Sequence, residues 1–151
     1  MKYLIICIIT LSLFTACENE DEDENETVIS QNYSDESHNL SQNCMNCHVQ
    51  GEGGEGWFTV AGSLYEKTQT SGYPNGSVKI TSEPNASGTT IKTIEVDSKG
   101  NFYTTQTIDF GNGLYVSVYG TNGEEKIMMS KINTGSCNSC HGNTTDKIWL
   151  E

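Results

Sequence analysis

Trp57-Phe58-Thr59-Val60-Ala61-Gly62-Ser63-Leu64-Tyr65 and, after the turn Pro74-Asn75-Gly76, the run Ser77-Val78-Lys79-Ile80-Thr81 decide the fold class. Both are short, rich in β-branched and aromatic residues and bounded by turn formers, the pattern of strands. Val78 and Ile80 alternate with Ser77, Lys79 and Thr81, which buries one face. Phe58, Val60 and Leu64 are expected on one side of the first strand. Pro84-Asn85-Ala86-Ser87-Gly88 turns the chain into residues 89–97, where Ile94 and Val96 face inward. Ile91 is out of step by one, which predicts a bulge. Asp97-Ser98-Lys99-Gly100-Asn101 is a hairpin-like turn, residues 102–108 a further strand, and Gly111-Asn112-Gly113 another turn. Residues 114–119 and 126–132 complete the set, about six strands in all.

The series FTVAGSLY (58–65), PNGSVKI (74–80), VDSKGNF (96–102) and GLYVSVYG (113–120) resembles the carboxypeptidase regulatory-like or transthyretin-like family over roughly half the chain. That resemblance implies a mainly β fold, a small antiparallel β-sandwich over residues 57–132. The family is chiefly a structural module and transfers no catalytic residue.

Outside this stretch, Cys-x-x-Cys-His occurs twice, as Cys44-Met45-Asn46-Cys47-His48 and Cys137-Asn138-Ser139-Cys140-His141. With 6 Cys and 3 His in 151 residues, random placement gives about 0.005 copies. The pattern is the attachment signature of c-type haem. There two thiols add to the vinyl groups along one edge of the ring and the histidine comes beneath the iron. The resemblance implies two covalently bound haem c groups, with Cys44, Cys47, Cys137 and Cys140 as thioether residues and His48 and His141 as proximal ligands.

The sixth ligands stay open. After the proximal positions are filled, only His38 remains of the 3 histidines, so it can serve one haem. Met128 and Met129 precede the second pentapeptide and, on a strand, point to opposite faces. Met45, inside the first motif, is restricted by its own backbone. His38 ligation gives a lower potential and methionine a higher one, whereas an iron with neither is open to small ligands. Trp57, Tyr65 and Ile148-Trp149-Leu150 are candidates to cover a macrocycle, and Trp149 fits a sheet edge equally well.

The N-terminus reads as an export signal, since Lys2 precedes an apolar run that ends in Phe14-Thr15-Ala16-Cys17. This resembles the lipobox of bacterial lipoproteins, although Phe14 stands where Leu is usual, and it implies lipidation at Cys17. Loss of Cys7 with the signal then leaves only the four motif cysteines. Glu18, Glu20, Asp21, Glu22, Asp23, Glu24 and Glu26 form a self-repelling block, expected to be a disordered acidic tether. Its placement resembles the acidic tag that sends some lipoproteins to the cell surface, and a periplasm-facing spacer is the alternative. With 8 basic residues, all lysine, against 20 acidic ones the net charge is −12. That argues against nucleic acid or an anionic lipid surface as a partner and suits redox proteins such as other multihaem cytochromes.

The expected organisation is a signal peptide (1–16), a tether (17–37), a first haem-binding segment with the Gly-rich hinge Gly51-Glu52-Gly53-Gly54-Glu55-Gly56 (38–56), the sandwich (57–132) and a second haem-binding segment (133–151). The hinge carboxylates lack the spacing of a calcium loop. The function this implies is an exported, lipid-anchored, outer-membrane dihaem cytochrome, an electron carrier with no catalytic residue. One rival is a surface adhesion module whose cysteines hold zinc or disulfides. Another is a haem peroxidase-like enzyme with an open iron and His38 as acid–base residue. The haems sit either together at one end of the sandwich or at opposite ends.

Overall fold

The computed structural model describes residues 25–151; the signal stretch, Cys17 and the acidic residues as far as Glu24 lie outside the described residues. The chain is mainly β. Its strands are β1 (Val60–Glu66), β2 (Ser77–Thr81), β3 (Thr90–Glu95), β4 (Asn101–Thr104), β5 (Tyr115–Tyr119), β6 (Glu125–Ile127), β7 (Gly135–Ser136) and β8 (Ile148–Leu150). Among the described residues, helical structure is limited to single 3₁₀ turns at Cys44–Asn46 and Cys137–Ser139. No helix there is long and apolar enough to cross a membrane.

One sheet has the order β3-β2-β5-β6 with every pair antiparallel. The other is built on β1, which pairs with β4 antiparallel and with β7 and β8 in parallel. A single buried cluster draws Val60, Leu64, Phe102 and Leu150 from the β1 sheet and Val78, Ile80, Ile94, Val116 and Val118 from the other. Each such side chain contributes about 1.5–3 kcal/mol by leaving water, so this cluster holds the two sheets together.

The bulge falls where the sequence puts it. Ile80 pairs with Lys92 and Thr81 with Thr90, so Ile91 is skipped and stands 40% exposed. Other expectations shift. Phe58 precedes β1, so strand alternation does not bind it, and it packs with Ala61 and Tyr103 in a second cluster. The strand expected over 102–108 ends at Thr104, whose hydroxyl accepts from the Gln106 amide at 3.1 Å. The strand expected over 126–132 ends at Ile127, and Ile132 rejoins only through a bridge to Leu114.

The segment assigned to the tether is docked from Asn25 onward. Asn25 exchanges two 2.8 Å hydrogen bonds with the Trp57 backbone, Ile29 bridges to Thr104, and the Ser30 amide donates to the Tyr103 carbonyl at 2.9 Å. These contacts satisfy the open edge of β4, which otherwise presents unpaired backbone groups.

Candidate functional site

Both pentapeptides fold alike. In each the fourth-residue amide returns to the first cysteine's carbonyl, Cys47 to Cys44 at 3.1 Å and Cys140 to Cys137 at 3.2 Å. Each histidine amide donates to the same carbonyl at 3.0 Å. In a 3₁₀ turn residues three apart eclipse, which brings the two thiols of each motif to one side.

The second pentapeptide is an excursion from the sheet. The chain follows β1 as β7, with Val60 opposite Gly135 and Ala61 opposite Ser136, leaves, and resumes as β8 with Leu64 opposite Ile148. Residues 137–147 therefore span only Gly62 and Ser63 of β1. Gly62 permits this, because a β-carbon there would lie 2.8 Å from the Cys137 β-carbon and would clash with the Phe102 ring. Ser63, paired with Asn101 of β4 on one side, has no strand partner on the other, and there its amide donates to Asn138 Oδ1 at 3.1 Å. Asn138 is a spacer residue of the second motif.

The same asparagine reaches the chain leading into the first motif. Its Nδ2 donates to the Gln42 carbonyl at 2.8 Å and to Ser63 Oγ at 3.0 Å, and the Ser41 amide donates to Ser63 Oγ at 3.2 Å. Ser63 Oγ in turn donates to Asn101 Oδ1 at 2.7 Å, and Asn101 Nδ2 donates to Ser37 Oγ at 2.9 Å. Asn101 is placed by Asp97, whose Oδ1 accepts from the Lys99 and Asn101 amides, each at 2.9 Å. Ser136 Oγ donates to Asn43 Oδ1 at 2.9 Å, joining the residues immediately before the two motifs. The pentapeptides thus lie side by side over β1, not at opposite ends of the domain.

Each histidine has one ring nitrogen occupied by backbone. His48 Nδ1 lies 3.0 Å from the Glu55 carbonyl and 3.2 Å from that of Gly56; His141 Nδ1 lies 2.8 Å from the Asp146 carbonyl. A carbonyl partner fixes the proton on Nδ1 and leaves Nε2 as the donor atom, the usual preparation of a metal-binding imidazole. The Gly-rich stretch expected as a hinge is therefore the cradle of His48. A β-carbon at Gly54 would lie 2.7 Å from the Cys47 carbonyl oxygen and 2.9 Å from His48 Nδ1. Phe58 stacks on the His48 ring with centroids 4.2 Å apart.

A cavity adjoins each motif. That of Cys44, Cys47 and His48 has a volume of about 670 Å³ and is also lined by Phe58, Tyr103 and His38. That of Cys137, Cys140 and His141 measures about 560 Å³, with Val116, Ile132, Met128 and Trp149 in its wall. Both fall within the roughly 300–1,000 Å³ of cofactor and ligand sites. Trp149 pairs with Tyr65 through β8, the sheet-edge placement, and also lines the second cavity. Met129 points away, 85% exposed, while Met45 packs against the cluster of Phe58, Ala61 and Tyr103.

All four motif thiols are free, with Cys47 and Cys140 exposed and Cys44 and Cys137 half-buried. Burial pushes the Cys137 thiol up to about 12 and raises that of Cys44 too. Unpaired thiols in pairs, an imidazole with a free Nε2 and an adjacent cavity fit the donor set of a thioether-bound haem at each motif. Among the described residues no group of three or more His, Cys, Asp or Glu is placed together as a metal-ion site. Sequence reasoning missed Ser63, Asn101 and Asn138, whose only signal was an asparagine in a motif spacer. Compared with protein-family models, curated proteins and solved structures, the chain matches none.

Proposed function

We propose that the protein is an exported, lipid-anchored dihaem c-type cytochrome. Its haem c groups are attached through Cys44 and Cys47 and through Cys137 and Cys140, on a transthyretin-like β-sandwich. The observation that carries this reading is the duplicated histidine geometry. His48 and His141 each stand at the end of the same 3₁₀ turn, with Nδ1 held by a backbone carbonyl and a cavity alongside. A bound haem supplies a one-electron iron couple. The four motif cysteines would attach it and His48 and His141 would hold its iron, with Phe58 and Trp149 in the walls of the adjoining cavities.

Outer-sphere transfer needs no substrate pocket, and a net charge of −12 favours a redox partner with a basic face. The export signal and Cys17 support an outer-membrane location, at the surface or facing the periplasm. Expression with a cytochrome c maturation system tests the reading. The expected product carries two haems that survive denaturation, detected by mass. A mature chain with intact thiols and no haem sinks it, and zinc without iron in that product points to the adhesion module instead.

A further inference from the structure

Two features distinguish the paired sites, the side chains available opposite each proximal histidine and the charges around each cavity. We infer that His38 ligates the first iron opposite His48 and Met128 the second opposite His141, so that the second site holds an electron more tightly than the first. This rests on the dihaem reading above.

His38 lines the first cavity, and its ring centroid lies 5.8 Å from that of His48. Imidazole–metal bonds are about 2 Å, which puts each ring centre about 3 Å from a shared metal and the two about 6 Å apart. The backbone beneath His38 is pinned: the Ser37 carbonyl accepts from Lys99 Nζ at 2.7 Å and the His38 carbonyl from Asn101 Nδ2 at 3.4 Å. The ring itself is exposed. No histidine remains for the second site, where Met128 is the cavity-lining thioether. Its amide donates to the Val116 carbonyl at 2.9 Å, which holds it in the wall, whereas Met129 faces solvent.

Charge acts in the same direction as ligand type. The first cavity is lined by Glu26, Glu36, Glu52 and Glu55 against the single ammonium of Lys99 behind His38, and the second by Lys126, Lys131 and Lys147. The molecule has only 8 basic residues, so this placement is marked. Lys126 Nζ is buried without a hydrogen-bond partner and 3.6 Å from Glu124, and Lys147 Nζ donates to the Gln69 carbonyl at 2.9 Å. Adding an electron is opposed beside carboxylates and favoured beside ammonium groups. Thioether ligation raises the potential relative to a second imidazole. An electron given up by a one-electron donor protein, itself oxidised by one electron, would therefore favour the second site over the first. No proton need move.

The test uses the full matured chain, first shown by mass to carry two haems; failure at that step overturns the parent reading instead. Redox titration followed by visible and electron paramagnetic resonance spectra is expected to give two one-electron waves. Their separation corresponds to at least a tenfold preference, about 59 mV, with a bis-imidazole signature on the lower wave and a thioether signature on the upper. His38→Ala should open one site to carbon monoxide and leave the upper wave in place, while His38→Met should raise the lower wave. Met128→Leu, close in volume, should abolish the thioether signature and lower the upper wave alone. Two bound haems with superimposed waves, or either variant leaving both spectra unchanged, would overturn the assignment.

Discussion

Asn138 donates from its side-chain amide to the carbonyl of Gln42 at 2.8 Å, so a spacer residue of the second pentapeptide is tied to the chain leading into the first. The bond bridges positions 96 residues apart. It makes the two motifs one site, arranged around Ser63 in the gap that β7 and β8 leave beside β1.

Asn138→Ala tests that junction. Asn138 is only 7% exposed, and its removal leaves the Ser63 amide without an acceptor, at a cost of about 1–3 kcal/mol. Chemical denaturation should show the loss, and hydrogen exchange should show the Ser63 amide exchanging faster than its neighbours in β1. Unchanged protection at Ser63 would mean that the side-chain bond does not stand in for the strand.

Gly62→Ala forces a β-carbon against Cys137 and the Phe102 ring. Overpacking of this kind costs about 1–3 kcal/mol. It should also displace Cys137 more than Cys44, so peptide mass mapping after maturation is expected to find haem lost from the second motif first. Equal loss at both would contradict the close approach.

At Gly54, alanine intrudes on the Cys47 carbonyl and His48 Nδ1, whereas nothing lies within 4 Å of a β-carbon at Gly53. Gly54→Ala should leave the thioether bonds in place but weaken ligation by His48, seen as carbon monoxide binding by the reduced protein. Gly53→Ala is the control and should behave as the parent. If the two variants behave identically, the stretch is a hinge and not a cradle.

In chain produced without haem, the thiols should sort by burial. Exposed Cys47 and Cys140 are expected to react with iodoacetamide before Cys44 and Cys137, because the thiolate is the nucleophile. Cys137 titrates at about 12 when folded against 9.0 as an ordinary thiol. Between these values the unfolded chain binds fewer protons, so stability should fall as pH rises from about 9 toward about 12. Cys137→Ser should flatten that part of the profile; an unaltered slope would place the effect elsewhere.

Local pattern carried much of the fold. Val78, Ile80, Ile94 and Val96 are buried where alternation puts them, and the bulge at Ile91 follows from one residue out of step. Alternation misplaced Phe58 because that residue stands before the strand begins. It also overran at residues 105–108 and 128–132, where side-chain and bridge contacts end the ladders. β7 and β8 are too short to leave a periodic trace, and their parallel pairing with β1 depends on residues 75 to 84 positions away.

By itself the sequence determined the strand-rich character and the identity of the thiols and histidines in the two pentapeptides, since alternation and motif spacing are local properties of the chain. Only the tertiary structure decided that the two motifs are neighbours, that the glycines after His48 wrap its ring, and that His38 and Met128 line different cavities. Those are long-range contacts. They depend on a glycine at Gly62 that lets the loop approach and on Asn138 taking the place of a missing strand, neither of which means anything until the chain has folded onto β1.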